Sequence, residues 1–359
     1  MAGASPTPRT EPLPADLLAI AGRVEQRVGV LLDEERRRWS ALDPSLAEPI
    51  EALRGLVMSG GKRLRPAFCH WGFVGAGGDA DDPAVVDAGA AFELLQGFAL
   101  IHDDVMDGSA VRRGAPSVHR QFVERHGGEQ WAGEGRRFGE GVAILVGDLA
   151  LVYADQLLPD GPPELGRLWD ELRTELNIGQ YLDLVGTATG RTDRANARRI
   201  ARYKSGKYTI ERPLQLGATL AGCHHALAEP LSRYGDPLGE AFQLRDDVLG
   251  VFGDSVRTGK PVGDDLREGK PTLLLAVAHE RATDAQRTVL ALVGDQQLSA
   301  DRVTDLQDLL VETGALATVE EEIAALAARA VGALQTISIA TEARVALRDL
   351  AAFVVARES

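Results

Sequence analysis

Three aspartates close an otherwise apolar run in FALIHDDVMDG, residues 98–108: Asp103, Asp104 and Asp107. If the run is helical, Asp103 and Asp107 at i and i+4 share a face about 6 Å apart, and Asp104 flanks them ~100° around the axis. Hard oxygen donors at this spacing suit Mg²⁺, which takes one or two carboxylates and completes its shell with water and phosphate oxygens. They do not suit a zinc hydrolase, which needs histidines. The position is also electrostatically costly, because the C-terminal end of a helix is the negative end of its dipole. A cation from elsewhere should compensate. One such string is equally consistent with a solvated helix end or with internal arginine pairs. A second copy shifts the balance: FQLRDDVLGVFGD, residues 242–254, again ends an apolar segment in paired aspartates, Asp246 and Asp247.

The basic residues say what the metal would face. They cluster beside Gly or Pro in GGKRLRP (60–66), VRRG (111–114), YKSGKY (203–208), TGKP (258–261) and EGKP (268–271). Such placement suits phosphate capture, where backbone N–H groups and a cation act together. Each cluster alone would read as solvated surface; beside two acidic helix ends they imply a polyanionic substrate held through Mg²⁺.

The elements that must position these groups are helices. Hydrophobic residues make up 45% of the 359-residue chain and aromatics only 5%, a mix that favours helices over sheets. Helices are predicted at 16–40, 46–58, 62–76, 84–107, 117–127, 138–158, 163–187, 193–222, 226–252 and 270–282, with several more between 284 and 357. The segment VVDAGAAFELLQGFALIH, Val85 to His102, is apolar on nearly every face and should be surrounded by other helices. Strand-like alternation is missing, GGEQWAGEGRR (127–137) reads as a loop, and Pro230, Gly235 and Pro237 mark joints. No long linker interrupts the pattern, so the expectation is one all-α domain over 16–359, preceded by a Pro-rich disordered tail over 1–15.

The formal charge of −14 argues against nucleic acid as a partner. Cys69 and Cys223 have no disulfide or zinc-site spacing, which fits a reducing cytoplasm. No uninterrupted apolar run reaches the roughly 20 residues of a bilayer span, and the N-terminus does not resemble a signal peptide.

Together these motifs resemble the trans-polyprenyl diphosphate synthases, the head-to-tail prenyltransferases that include farnesyl and geranylgeranyl diphosphate synthases. The resemblance runs in order from GGKRLRP through HDDVMDGSAVRRGAPSVH and YKSGKYT to FQLRDDVLGVFGD and GKPVGDDLREGKPT, and is strongest to actinobacterial members. It implies a single large helical bundle of the isoprenoid synthase type around a central active-site cavity, a homodimer, and Mg²⁺, three ions with substrate bound. By the same resemblance Asp103 and Asp107 would ligate metal bridging to the allylic diphosphate, with Asp104 supporting, and Arg112 would contact that diphosphate. Lys62, Arg65, Gln96 and Arg113 would hold isopentenyl diphosphate. Lys204, Ser205, Gln243 and Lys260 would line the allylic pocket and Lys270 would add to substrate binding, while Asp246 and Asp247 serve the remaining metal. Lys207 is an alternative to Lys204. The second motif departs from the family's D-D-x-x-D: its fifth position is Gly250, and Asp254 or the pair Asp264 and Asp265 are candidates to replace the missing carboxylate.

The implied reaction is ionisation of an allylic C–O bond of a dimethylallyl, geranyl or farnesyl diphosphate. The double bond of isopentenyl diphosphate then attacks, and the released diphosphate takes the proton, so no protein general base is assigned. Phe98, five residues before Asp103, and small Ala99 beside it are the candidates for setting product length. An aromatic at that place implies geranylgeranyl diphosphate, C20, with farnesyl diphosphate as the rival product. A class I terpene cyclase would share the fold and the first motif without needing Lys62, Arg65 and Arg113. A non-catalytic subunit would have lost one metal motif, a loss that Gly250 alone hints at.

Overall fold

The computed structural model describes residues 15–190, 193–253 and 262–357. The architecture is the expected all-α bundle, and it is organised around α4 (Pro83–Asp107). This helix starts where the Asp82 side chain accepts from the Ala84 N–H at 2.8 Å, with Pro83 in the first turn, and stops at Gly108, whose φ of 68° is left-handed. Both signals follow from residue type: a short acceptor and a proline begin helices, and glycine ends them. Side chains on every face of α4 are buried, against α1 (Ala15–Ser40), α2 (Ala47–Met58), α3 (Leu64–Gly75), α5 (Val118–Gly128) and α6 (Gly135–Leu157). Although Asp87 and Glu93 interrupt it, α4 is by length and composition apolar enough to cross a bilayer; here that apolar surface is the core of the bundle.

The segment expected as one helix over 193–222 is α8 (Arg194–Ile200), a π-helical stretch Ala201–Glu211, and α9 (Arg212–Leu220). A π-helix is rare beyond a single turn and concentrates at functional sites. Two observations explain why this one is tolerated. A Cβ on Gly179, in α7 (Pro163–Thr189), would lie 2.3 Å from the Lys204 nitrogen, and one on Gly206 would lie 2.9 Å from the Gly239 carbonyl carbon, so glycines let the widened turns press against both neighbours. On the far side, Lys207 pairs with Glu211 (3.0 Å) and Glu175 (3.4 Å), and Arg212 with Glu171 and Glu175 (both 2.7 Å).

Pro230 and Pro237, expected at joints, lie inside the continuous helix α10 (His224–Phe252). Gly235 is a point of close packing, since its Cβ would come 2.7 Å from Glu211 Cα. The remaining helices are α11 (Asp264–Glu268), α12 (Leu273–Arg281), α13 (Asp284–Leu290), α14 (Ala300–Glu312), α15 (Ala315–Leu334) and α16 (Thr341–Ala356). Of these, α11, α12, α15 and α16 pack on α10, α13 and α14 pack outside them, and α16 also packs on α3. The loop expected over 127–137 is shorter, because α5 runs to Gly128 and α6 begins at Gly135.

A small strand pair was not expected. Val111–Arg112 (β1) and Ala115–Pro116 (β2) form an antiparallel hairpin with Arg112 opposite Ala115. Its two-residue turn has φ of 53° at Arg113 and 76° at Gly114, the paired positive angles that match strand twist in tight hairpins. The tail expected over 1–15 falls almost wholly outside the described residues.

Candidate active site

The two acidic helix ends, α4 and α10, open on one cavity of about 500 Å³. Asp103 reaches it from α4, Asp246 and Asp247 from α10, and Asp264 and Asp265 from α11; Lys62, Arg65, Arg112, Lys204 and Lys270 line the same space. Ala99, Leu100, Leu176, Ile200 and Phe242 make its apolar wall.

The compensating cations anticipated at the end of α4 are Arg112, Lys204 and Lys270, each from a different element. Arg112 Nε donates to Asp104 Oδ1 at 2.8 Å, and its Nη2 also pairs with Asp104 and lies 3.6 Å from Asp103 Oδ2. Buried Asp104 therefore faces the hairpin and fixes Arg112. Lys204 Nζ sits 3.1 Å from Asp103 Oδ1 and 2.5 Å from Asp183 Oδ2, while Lys270 Nζ is 3.7 Å from Asp107 Oδ2. Lys207, the alternative to Lys204, points instead to Glu175 and Glu211.

These neighbours divide two carboxyls on one face of α4, Asp103, which lines the cavity, and Asp107, which does not. Burial would raise the pKa of Asp103, but Lys204, Lys270 and Arg112 outweigh it and hold the group below the usual carboxylate range. Asp107 is pushed up to about 6 by burial and by the Asp103 charge, against the pull of Lys270. In α10, Asp247 accepts from Gln243 Nε2 at 2.7 Å. Burial, reinforced by Asp265 and Asp246, still raises it to about 8. Asp246 pairs at 2.6 Å with Arg357, whose guanidinium stacks 4.0 Å over the Phe242 ring.

Among the described residues, no three His, Cys, Asp or Glu side chains converge closely enough to hold a metal ion, because basic side chains stand between the carboxylates. The donor set nevertheless fits a hard divalent cation. It is oxygen throughout, and Asp107 Oδ2 is buried with the Lys270 ammonium 3.7 Å away but no hydrogen-bond donor, a site where a divalent ion could bind more closely.

The expected isopentenyl diphosphate residues gather at the α3–α4 wall. Arg65 stacks 4.2 Å over the Tyr208 ring and donates from Nη2 to Thr209 Oγ1 at 2.8 Å, leaving its buried Nε without an acceptor. Tyr208 donates to Gln96 Oε1 at 2.8 Å, and Lys62 Nζ lies 5.8 Å from the Phe353 ring of α16. Arg113 does not line the cavity; it donates to the Leu56 carbonyl at 2.9 Å. Burial, with Arg63, Arg112 and Arg65 nearby and against the pull of Glu93, lowers its pKa. Ser205 and Gln243 line the cavity as expected. Lys260 and Asp254 lie outside the described residues.

Phe98 requires a correction. It is buried, packs edge-on to His102 with centroids 4.7 Å apart, and does not line the cavity. His102 in turn meets α6 at the Ile144 carbonyl, so this face of α4 looks toward α6. Ala99, one step around the helix, does line the cavity.

Sequence reasoning missed Gln180 and Asp183. Gln180 Nε2 donates to Asp103 Oδ1 at 2.9 Å, and Asp183 anchors Lys204. The available signal was GQYLD in α7, two polar side chains at i and i+3 directly after a glycine.

The polyprenyl synthetase family model matches residues 47–310. A geranylgeranyl diphosphate synthase of Mycobacterium tuberculosis is 35% identical over 265 residues, 69% of this chain and 70% of that protein. A geranylfarnesyl diphosphate synthase of Aeropyrum pernix is 33% identical over 271 residues, 73% of this chain and 79% of that protein. The crystal structure of a geranylgeranyl pyrophosphate synthase from Corynebacterium glutamicum, complexed with isoprenyl diphosphate and magnesium, is similar with a TM-score of 0.90 and 37% identity, covering 94% of this chain and 98% of that one.

Proposed function

This chain belongs to the polyprenyl synthetase family, and on that premise we propose that it condenses isopentenyl diphosphate head-to-tail with an allylic diphosphate to make geranylgeranyl diphosphate. The observation that carries the reading is that two acidic helix ends and five cationic side chains line one cavity that also has an apolar wall. A cation-and-carboxylate mouth suits a diphosphate held through metal, and the apolar part suits a prenyl tail.

Asp103 and Asp107 on α4 and Asp246 on α10 are the residues we assign to Mg²⁺, three ions with substrate bound. Bound there, Mg²⁺ would act as a Lewis acid on the allylic diphosphate and lower the cost of the charge that builds on it. The chain's own cations serve the same end. Arg112 and Lys204, oriented by Asp104 and Asp183, are fixed donors that need no reorganisation as the C–O bond breaks. Lys62, Arg65 and Gln96 are assigned to isopentenyl diphosphate, and the unsatisfied Arg65 Nε offers a donor for one of its oxygens. Ala99, Leu100, Leu176, Ile200 and Phe242 exclude water from the allylic cation.

C20 is the proposed length because the Corynebacterium geranylgeranyl pyrophosphate synthase is similar over nearly the whole chain with a TM-score of 0.90, against 0.78 for a farnesyl and a decaprenyl diphosphate synthase. A homodimer is proposed from the exposed apolar side chains of two helices, Ile144, Leu145 and Val152 of α6 and Ile178, Tyr181, Leu184 and Val185 of α7, since apolar surface of this kind marks interfaces. Two free thiols, Cys69 and Cys223, are in keeping with a cytoplasmic setting.

Incubating the purified protein with isopentenyl diphosphate and each of dimethylallyl, geranyl and farnesyl diphosphate tests the reading. Chromatography of the dephosphorylated products should give geranylgeraniol. A cyclic hydrocarbon from an allylic diphosphate alone, or no product from any starter, would refute it.

A further inference from the structure

The second acidic end is one carboxylate short. In the run from Asp246 to Gly250 the position four residues after Asp246, which would share its helical face, is glycine. Another residue fills the space. A Cβ built on Gly250 would lie 1.8 Å from Asp265 Oδ2 and 2.5 Å from its Cγ, so the Asp265 carboxylate stands where a side chain at 250 would begin. It comes from α11, which starts at Gly263 with a left-handed φ of 73°, and Asp246, Gly250 and Asp265 all line the cavity. The cation beside Asp265 is Lys270, 3.3 Å from Oδ1, and that ammonium is also 3.7 Å from Asp107 and 2.5 Å from Glu268. Three carboxylates thus gather around Lys270, a set of oxygen donors of the kind a divalent ion takes.

We infer that Asp265, seated in the opening at Gly250, supplies the carboxylate that the second acidic end lacks and completes the metal-binding face begun by Asp246. The inference rests on the metal and diphosphate chemistry proposed above, and it assigns a position, not a new reaction. It also explains the glycine: any larger residue at 250 would displace Asp265.

Mn²⁺ with inorganic pyrophosphate is the probe. Mn²⁺ bound to the full chain at saturating pyrophosphate is counted by electron paramagnetic resonance, and its affinity measured by calorimetry, with circular dichroism checking the fold. Asp265→Asn keeps the size and an acceptor for Lys270 but removes the charge; it should weaken one Mn²⁺ by about tenfold or more and leave the others unchanged. Gly250→Asp alone should also weaken that ion, because two side chains compete for one place, whereas Gly250→Asp with Asp265→Ala should recover it. An Asp265→Asn protein that binds the same number of Mn²⁺ ions with wild-type affinity overturns the inference, whether or not the double variant folds. Wild-type protein that binds no Mn²⁺ with pyrophosphate would instead refute the proposed function, and the inference with it.

Discussion

Asp103 and Asp107 share a helix face but not an electrostatic environment, and the difference predicts how the metal-free protein responds to pH. The folded state raises Asp107 to about 6 and Asp247 to about 8, so between the usual carboxylate value and those values the native state binds more protons than the unfolded chain. Metal-free stability should therefore fall as pH rises through that window and level off above about 8. Mg²⁺ with pyrophosphate should offset the loss, giving a larger gain in melting temperature at pH 8 than at pH 5.5. Equal gains at both would contradict the environments described. Arg65 makes a second residue-scale prediction. If its buried Nε meets a diphosphate oxygen, Arg65→Gln removes a charge-assisted hydrogen bond of about 1.5–3 kcal/mol. The KM for isopentenyl diphosphate should rise roughly 10- to 100-fold, with a much smaller change for the allylic substrate. Ala99 rather than Phe98 faces the cavity, so Ala99→Phe should shorten the main product toward C15, and Phe98→Ala should alter the distribution less. The opposite ranking in a product chromatogram would return Phe98 to the wall.

At the scale of the element, the π-helical stretch is what turns Lys204 toward Asp103 while Lys207 is held behind it. Gly179 permits the approach, and Gly179→Ala forces a methyl against the Lys204 backbone. Overpacking of this kind costs about 1–3 kcal/mol, to be read by urea unfolding; kcat should drop with it, since Lys204 loses its place. Unchanged stability would mean the contact relaxes freely. The same stretch shows what the sequence could reveal. Helix content, the two acidic ends and the cation clusters were legible because they depend on local spacing. Gln180 and Asp183 were not, because their value comes from packing: Gln180 meets Asp103 of α4 across 77 residues, and Asp183 meets Lys204 of the π-helical stretch. Phe98 was misplaced for a related reason: helical geometry fixes its angle from Asp103, but only the packing of α6 says which angle faces the cavity. The π winding answers to glycines on two partner helices, and the hairpin carrying Arg112 is too short for alternation to signal it. Asp265 was one of several candidates, and its approach to Gly250 depends on α11 packing against α10, which local spacing does not reveal.

For the whole molecule, the exposed apolar residues of α6 and α7 should be covered by a second copy. Leu145 is 63% exposed and does not line the cavity, so Leu145→Glu should yield a monomer by light scattering without unfolding; a persistent dimer would place the interface elsewhere. On the proposed function, the acidic mouth of the cavity works only with divalent cations between its aspartates and diphosphate. The most direct measurement is condensation of isopentenyl and farnesyl diphosphates by chelator-treated protein across a Mg²⁺ titration. Activity should be absent without metal, rise with Mg²⁺ and fall about 10²–10³-fold or more in Asp103→Ala. Full turnover in excess chelator, or in Asp103→Ala, would contradict it.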